Sequence, residues 1–421
     1  MTLTSTTPDT PRTPPSLDAP VGPTSARGQG WLPTPGQLST GIALGIRSAT
    51  LVADTRRAIV DILAGRDERL LVVCGPCSIH DPAVAVEYAR QLQLTACELA
   101  EDLLISMRAY VEKPRTSLGW RGLVADPGLT GTQDLRQGLV LARATLRGIL
   151  REGMPTAVEF VDPFVAAYTH DVVCWGAIGA RTVESPPHRQ LAASLRMPVG
   201  FKNRLDGAVG PAVNAATVAA EAQTVVTIDA SGMPTTVAAG GNPCPHVVLR
   251  GGGRGPNYYP AAVADAARQL DQAGLVPRVL VDAAHGNSGK DADRQRQVVT
   301  DLADLIADPG YPVAGVMVES NLVAGRQDVD PARPRRLRWG QSITDACIGI
   351  DDTRTLLRTL ARAVAIRRRR RAAHRAARTL AASAAALPRP AADTGTGTDT
   401  GTGTGTGEAA HSPTGEASWL R

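Results

Sequence analysis

Short runs of Val, Ile, Leu and Ala recur through the middle of the chain, separated by longer amphipathic segments. The runs are Leu70 to Cys74, Leu103 to Tyr110, Ala157 to Val161, Gly176 to Ala180, Pro198 to Lys202, His246 to Leu249, Val279 to Ala283 and Ala314 to Val318. A continuous apolar run of this length marks a strand buried on both faces, and the segments between read mostly as helix. Eight such strands predict an α/β fold closed as a (β/α)8 TIM barrel. A doubly wound open sheet is the rival, and the polar residues that follow each strand favour closure. One stretch breaks the alternation. From Val225 to Val237, two β-prone runs flank Asp229-Ala230-Ser231-Gly232, which predicts a β-hairpin inserted between the fifth and sixth strands.

The ends differ from this body. Residues 1–35 are rich in Pro, Thr, Ser and Gly with few apolar anchors, so a disordered N-terminal extension is expected. The catalytic barrel is assigned to 36–366. Residues 367–421 open with the run Arg367 to Arg371, continue as an Ala/Arg stretch to about Ala386, and pass into a Gly-Thr alternation, which predicts a basic, then low-complexity tail. Much of the formal net charge of +5 sits in that arginine run, so the charge does not by itself argue for a nucleic-acid partner, and small acidic substrates fit at least as well. No apolar stretch is long enough to cross a bilayer, and Pro and Thr stand where a signal peptide needs apolar residues. A cytoplasmic protein without a membrane partner is expected. The six cysteines are scattered, which predicts reduced thiols.

Polar residues follow the strands at the end where barrel enzymes assemble their sites. Cys77 follows the first strand, Arg108, Lys113, Arg115 and Thr116 lie on and after the second, and Glu159 lies on the third. Arg181 follows the fourth, Lys202 ends the fifth, Arg250 follows the sixth and His285 the seventh, Glu319 lies at the eighth, and Asp345 comes later. Two sets separate by chemistry. Cys77, His285, Glu319 and Asp345 combine soft, borderline and hard donors, as a divalent transition-metal site does, without selecting one metal. Cys74 and Cys77 form a Cys-x-x-Cys, but no second pair completes a zinc signature, so Cys74 is read as core and Cys77 as ligand. Arg108, Lys113, Arg181, Lys202 and Arg250 would repel one another unless an anion joins them. Guanidinium forks bind phosphate and carboxylate at two points, so a small ligand bearing both groups is implied. The plainer alternative pairs each cation with a structural carboxylate.

The local strings are specific. Cys74-Gly75-Pro76-Cys77-Ser78-Ile79-His80-Asp81, Arg108-Ala109-Tyr110-Val111-Glu112-Lys113-Pro114-Arg115-Thr116, Gly176-Ala177-Ile178-Gly179-Ala180-Arg181-Thr182 and Gly200-Phe201-Lys202-Asn203 resemble class I 3-deoxy-D-arabino-heptulosonate 7-phosphate (DAHP) synthases. So do Leu249-Arg250-Gly251-Gly252, His285-Gly286-Asn287-Ser288, Val316-Met317-Val318-Glu319-Ser320 and Ser342-Ile343-Thr344-Asp345-Ala346-Cys347. The resemblance implies a metal-dependent transferase that condenses phosphoenolpyruvate with erythrose 4-phosphate and water to give DAHP and phosphate, the first step of the shikimate pathway. It implies that Cys77, His285, Glu319 and Asp345 hold one divalent ion, with Mn, Fe, Co and Zn all admitted. Arg108, Lys113, Arg181, Lys202 and Arg250 would grip phosphoenolpyruvate, Pro114, Arg115 and Thr116 would meet the phosphosugar, and Ala180 would also bind substrate. Catalytic duty would fall on Lys113 as the proton carrier, its pKa depressed by neighbouring cations, on Glu159, which orients water or a cation, and on His285. A homo-oligomer, dimer or tetramer, is expected.

The chain departs from the family pattern in three places. Ala284 stands where relatives usually carry Ser before the histidine, Arg204 stands where Gly is usual, and Ser185-Pro186-Pro187-His188 replaces a stretch without proline. Two other functions compete: a specialised paralogue that condenses phosphoenolpyruvate with another aldehyde in secondary metabolism, and a non-catalytic regulatory subunit. Retention of Lys113 to Thr116 speaks against the first, and the complete set of ligands and cations against the second. In relatives that respond to an aromatic amino acid, the effector pocket is associated with the inserted hairpin. Here the hairpin carries no aromatic residue and Arg196 narrows the approach, so Phe and Tyr are expected to inhibit weakly or not at all.

Overall fold

The computed structural model describes residues 31–330, 333 and 336–385. The eight apolar runs become eight parallel strands closed into a barrel. In chain order these are β1 (Leu70–Gly75), β2 (Leu103–Arg108), β3 (Thr156–Glu159), β4 (Trp175–Ile178) and β5 (Val199–Lys202), then β8 (His246–Leu249), β9 (Val279–Asp282) and β10 (Val313–Glu319). Between them lies the expected hairpin, β6 (Gln223–Ile228) antiparallel to β7 (Pro234–Ala239). Its turn is organised by the Asp229 carboxylate, which accepts from the backbone N–H groups of Ser231 and Met233. Around the barrel the order is β1-β10-β9-β8-β5-β4-β3-β2, with β2 pairing back to β1.

Helices α1 (Pro35–Gly41) and α2 (Ile46–Ala64) precede the barrel. The strands are then connected through α3 (Pro82–Glu98), α4 (Leu135–Arg151), α5 (Pro163–Thr169), α6 (Pro186–Ser194), α7 (Gly210–Ala220), α8 (Pro260–Gln272), the short α9 (His285–Ser288) and α10 (Ala292–Ala307). Beyond β10 a small pair, β11 (Val323–Arg326) and β12 (Gln341–Ser342), leads to α11 (Ile350–Ala385). Several of these starts are written in the sequence. Asp81 and Asp162 accept from first-turn N–H groups, and the Pro that follows each has no N–H to leave unpaired.

Strand alternation decides where each side chain goes, because successive residues point to opposite faces. In β1, Leu71 and Val73 join Ala157, Trp175, Val248, Leu280 and Met317 in the barrel interior. Leu70, Val72 and Cys74 join the layer between strands and helices. Cys74 is therefore core, where burial pushes its thiol to about 12. The same alternation turns Arg108, Glu159, Lys202 and Asp282, which end their strands, and Glu319, which ends β10, towards the axis at the C-terminal rim, so the polar floor of the mouth is the top layer of the barrel's own stack.

The ends depart from the expected boundaries. Order is already present at Thr34, which caps α1 in a reciprocal box with Gln37. At the other end α11 continues past Ile366 to Ala385. Arg367 is only 3% exposed, and its guanidinium donates to Val313 O at 3.2 Å and Glu68 O at 2.8 Å. Arg368 pairs with Asp102 at 2.9 Å and Glu101 at 3.3 Å. An arginine stem buries apolar surface while its head finds backbone oxygens, so the basic run packs as helix. Residues up to Ala373 form one compact unit; the second unit begins at His374, and its described part, to Ala385, is helical. Residues 1–30 of the expected extension and the Gly-Thr alternation lie outside the described residues. No helix among the described residues is long and apolar enough to cross a membrane.

Candidate active site at the barrel mouth

A cavity of about 210 Å³ opens at the C-terminal ends of the strands. Its lining includes Arg108, Lys113, Pro114, Arg115, Thr116, Glu159, Ala180, Arg181, Lys202, Arg250, His285 and Asp345, so residues separated by more than two hundred positions meet here. Cys77 and Glu319 lie beneath it, at 0% and 3% exposure. Two loops cross backbone on backbone to bring Arg250 and His285 together. A Cβ on Gly251, whose φ is +66°, would come within 2.4 Å of Gly286 C, and one on Gly286 within 2.5 Å of Gly252 N. Gly286 N–H donates to Arg250 O across that contact at 3.0 Å.

Donor atoms of Cys77, Glu319 and Asp345 all lie within 4.8 Å of one another. Ligands bound to one ion at roughly 2.0–2.3 Å stand at most about 4.6 Å apart, so with Cys77 Sγ already 3.4 Å from Asp345 Oδ2 only a small contraction brings the three donors to a single centre. His285 is not part of that threesome, but its Nε2 lies 3.6 Å from Glu319 Oε1. The imidazole is presented from a left-handed backbone, φ +55°, which is costly for a residue with a Cβ. Its Nδ1 stands 2.9 Å from Asp282 Oδ2, yet the angle falls short of a hydrogen bond and both atoms lack another partner. A carboxylate behind an imidazole is the arrangement that orients a metal-binding histidine. Burial, with Glu319 close by, pushes the Cys77 thiol to about 11, and coordination to a divalent cation is what deprotonates such a thiol. The donor set thus fits one divalent metal.

The cations divide. Three of the five are paired with buried or half-buried carboxylates: Arg108 with Glu319 at 2.8 Å, Lys113 with Asp345 at 3.1 Å and Lys202 with Glu159 at 2.7 Å. Burial opposes ionisation of Glu159, but Lys202 holds its carboxyl below the usual range. Arg181 instead donates to Thr116 Oγ1 at 2.7 Å, and Arg250 to Gly251 O at 3.2 Å. Among the described residues neither has a carboxylate partner, so their charge is open to a ligand. Lys113 corrects an expectation. Burial works against its charge, but Cys77, Glu319 and Asp345 outweigh burial and the Arg108 cation, and its pKa is raised rather than depressed. Its ammonium sits 2.7 Å from Cys77 Sγ and 3.1 Å from Asp345 Oδ2.

Sequence reasoning missed three contributors. Tyr110 lies under the Arg108 guanidinium at 3.6 Å from ring centroid to Cζ and within 5.1 Å of Lys202 Nζ, a cation–π floor for both. Lys290 lines the cavity with its Nζ 3.7 Å from Asp345 Oδ1 and its backbone left-handed at φ +65°. Asn203, fully buried, accepts from Arg250 N–H at 2.7 Å and donates to Gly251 O at 3.1 Å. The Gly-Phe-Lys-Asn string contained that signal. Of the departures, Ala284 offers only its N–H to Asp282 Oδ1, Arg204 pairs with Asp206 and Glu184 away from the cavity, and His188 bridges Ser185 Oγ and Val161 O at the start of α6. Beside the hairpin lies a second, apolar cavity of about 330 Å³, lined by Phe164, Leu191, Val225 and Ile228 among others. The expected lack of an aromatic wall is thereby corrected, since α5 supplies Phe164, and Arg196 is not in the lining.

The sequence pattern of the DAHP synthetase I family matches residues 44–358. The chain is 46% identical over 329 residues to the Tyr-sensitive phospho-2-dehydro-3-deoxyheptonate aldolase of Escherichia coli (strain K12), covering 78% of this chain and 92% of that protein. It is 45% identical over 342 residues to the phospho-2-dehydro-3-deoxyheptonate aldolase of Corynebacterium glutamicum, covering 80% and 93%. The solved structure of the phospho-2-dehydro-3-deoxyheptonate aldolase from Francisella tularensis SCHU S4 superposes with a TM-score of 0.78 at 41% identity, over 80% of this chain and 98% of that one.

Proposed function

The chain belongs to the DAHP synthetase I family, and from that premise we propose that its barrel mouth binds phosphoenolpyruvate and erythrose 4-phosphate beside one divalent metal ion and joins them with water into DAHP and phosphate. It is an enzyme of aromatic biosynthesis, and neither a regulatory subunit nor a paralogue for another aldehyde is supported. The observation that carries the site assignment is the convergence, in and directly beneath one cavity, of a compact Cys/Glu/Asp donor set with two cations that, among the described residues, no carboxylate neutralises.

Arg108, Arg181, Lys202 and Arg250 are assigned to the carboxylate and phosphate of phosphoenolpyruvate, with the Ala180 loop closing the side. Lys113, Pro114, Arg115 and Thr116 are assigned to the phosphosugar. Thr116 already touches Arg181, which joins the two subsites. A divalent ion held by Cys77, His285, Glu319 and Asp345 would act as a Lewis acid towards the aldehyde oxygen, and Mn, Fe, Co and Zn all suit that mixed set. Lys113, kept protonated, hands a proton to the aldehyde oxygen as C3 of the enol phosphate forms the new bond to the carbonyl carbon. Glu159, neutralised by Lys202, orients the water that adds at C2. The cage then retains the phosphate as its bond to C2 breaks.

A barrel domain of about 36–366, joined at its C-terminal end by the packed Arg367 and Arg368, a homo-oligomer and a cytoplasmic location complete the proposal. Six free thiols support a reducing compartment, and Val226 and Met233, exposed on the hairpin, support a face covered by another subunit. A steady-state assay of phosphoenolpyruvate loss tests the reaction. Consumption should require erythrose 4-phosphate and release phosphate in equal amount; consumption independent of the aldehyde would contradict it.

A further inference from the structure

Inside a parallel barrel, each strand's N–H and C=O groups are satisfied by its two neighbours. At the end of β10 one neighbour leaves early. Ala283, just beyond β9, still donates its N–H to Met317 O at 2.9 Å, and the chain then turns away through His285. At the next rung β9 is gone: the Glu319 carbonyl is met by backbone only at the isolated bridge of Ile348, and its N–H has no strand partner on that side. A side chain makes it instead. Glu319 N–H donates to Gln295 Oε1 at 2.7 Å, and Gln295 Nε2 donates back to Glu319 O at 2.9 Å. Gln295 comes from the first turns of α10 and is 1% exposed. A carboxamide carries a donor and an acceptor spaced like those of a peptide, so it completes the ladder where the strand is missing.

We propose that Gln295 is a positioning residue for the metal centre, fixing the backbone from which Glu319 presents its carboxylate. The inference rests on the assignment of Glu319 as a metal ligand. The same carbonyl of Glu319 also accepts from Ile348 N–H at 3.1 Å, which ties it to the segment that carries Asp345. The start of α10 is bound to the His285 loop as well, through Asp291 N–H to Ser288 O at 3.3 Å, while Lys290 N–H closes that loop on His285 O at 2.7 Å. One helix start thus sets the relative placement of three donors without touching the substrate cavity, since Gln295 is absent from its lining. Partners that hold a metal ligand in place change metal affinity by roughly ten- to a hundredfold when removed.

The test compares wild type with Gln295→Met, which keeps length and loses both bonds, and Gln295→Glu, which keeps the acceptor and loses the donor. Zn(II) affinity is measured by competition with a chromophoric chelator, alongside the melting temperature of the metal-free protein and the KM for phosphoenolpyruvate at saturating metal. The expected result is a Zn(II) Kd raised roughly ten- to a hundredfold in Gln295→Met and less in Gln295→Glu, with KM changed less than about twofold because its cations come from β2, β5 and the loops after β4 and β8. A Kd within about twofold of wild type in a folded variant overturns the proposal, as does a parallel rise of Kd and KM, which would signal a loosened barrel mouth. If metal-free Gln295→Met does not fold, Gln295→Glu decides by the same ratio. A wild type without Zn(II) affinity would overturn the metal assignment itself, a failure seen before any variant is compared.

Discussion

Replacing His246 with Gln should flatten the acid side of the stability profile. His246 opens β8 at the end of the barrel opposite the cavity and is 2% exposed. Its Nε2 accepts from Trp175 Nε1 at 3.1 Å, and its Nδ1 lies 3.0 Å from Cys244 O, so both contacts are met by a neutral ring with its proton on Nδ1. Burial lowers its pKa from the ordinary 6.5 to about 4. The unfolded chain therefore binds a proton that the folded chain refuses. Stability from this group is complete above pH 6.5 and is lost as pH falls towards 4. At about 1.36 kcal/mol per pH unit, the fall from 6.5 to 4 removes roughly 3 kcal/mol, or about 5 °C of melting temperature for a barrel of this size. Glu159, Asp282 and Asp345, whose carboxyls are held below their ordinary range, contribute a further loss only nearer pH 4 and below. His80 and His170, lowered mainly by burial, act equally in both proteins. Melting curves at pH 7.0 and 4.5, at fixed ionic strength, should show His246→Gln losing several degrees less than wild type across that interval. Parallel losses in the two proteins would refute the buried neutral imidazole.

Arg250→Met should raise the KM for phosphoenolpyruvate by roughly ten- to a hundredfold, the worth of one or two charge-assisted hydrogen bonds, with the barrel's melting temperature little changed; an unchanged KM would remove Arg250 from the cage. Lys290, which lines the cavity together with Pro114, Arg115 and Thr116, is assigned to the phosphosugar side, so Lys290→Met should raise the KM for erythrose 4-phosphate severalfold more than that for phosphoenolpyruvate; equal rises would contradict that placement. Removing His374–Arg421 should leave turnover and melting temperature within experimental error of the full chain, because residues 374–380 are all exposed and none lines the cavity; a drop of many degrees would show that the barrel depends on it.

The barrel was legible because its strands are almost wholly buried, largely apolar runs, and the hairpin because Asp229 to Gly232 spell a turn. The mouth was legible as residue types at strand ends, since closure alone brings Arg108, Glu159, Lys202, Arg250 and Glu319 to one rim. The pairings among them were not. Which cation meets which carboxylate depends on side-chain reach across the rim, and Arg108 finds Glu319 from 211 positions away. That distinction sets the behaviour of Lys113, whose neighbours are Cys77 and Asp345 rather than the other cations, and so reverses the direction of its expected shift. Tyr110 and Gln295 had no signal of their own in the sequence, because an aromatic floor and a carboxamide rung are ordinary residues until the backbone around them is known. Arg367 shows the converse: a basic run looked solvated, and its first member is buried against backbone carbonyls.

Cys77, His285, Glu319 and Asp345 are proposed to hold the divalent ion on which the condensation depends. Phosphate release from phosphoenolpyruvate and erythrose 4-phosphate, measured before chelation, after chelation and after return of Mn(II), tests it most directly when run on wild type and on Cys77→Ala together. Wild type should lose turnover with the metal and regain it, while folded Cys77→Ala should neither bind the ion tightly nor turn over; full activity in chelated wild type, or tight metal and normal turnover in Cys77→Ala, would overturn the ligand assignment.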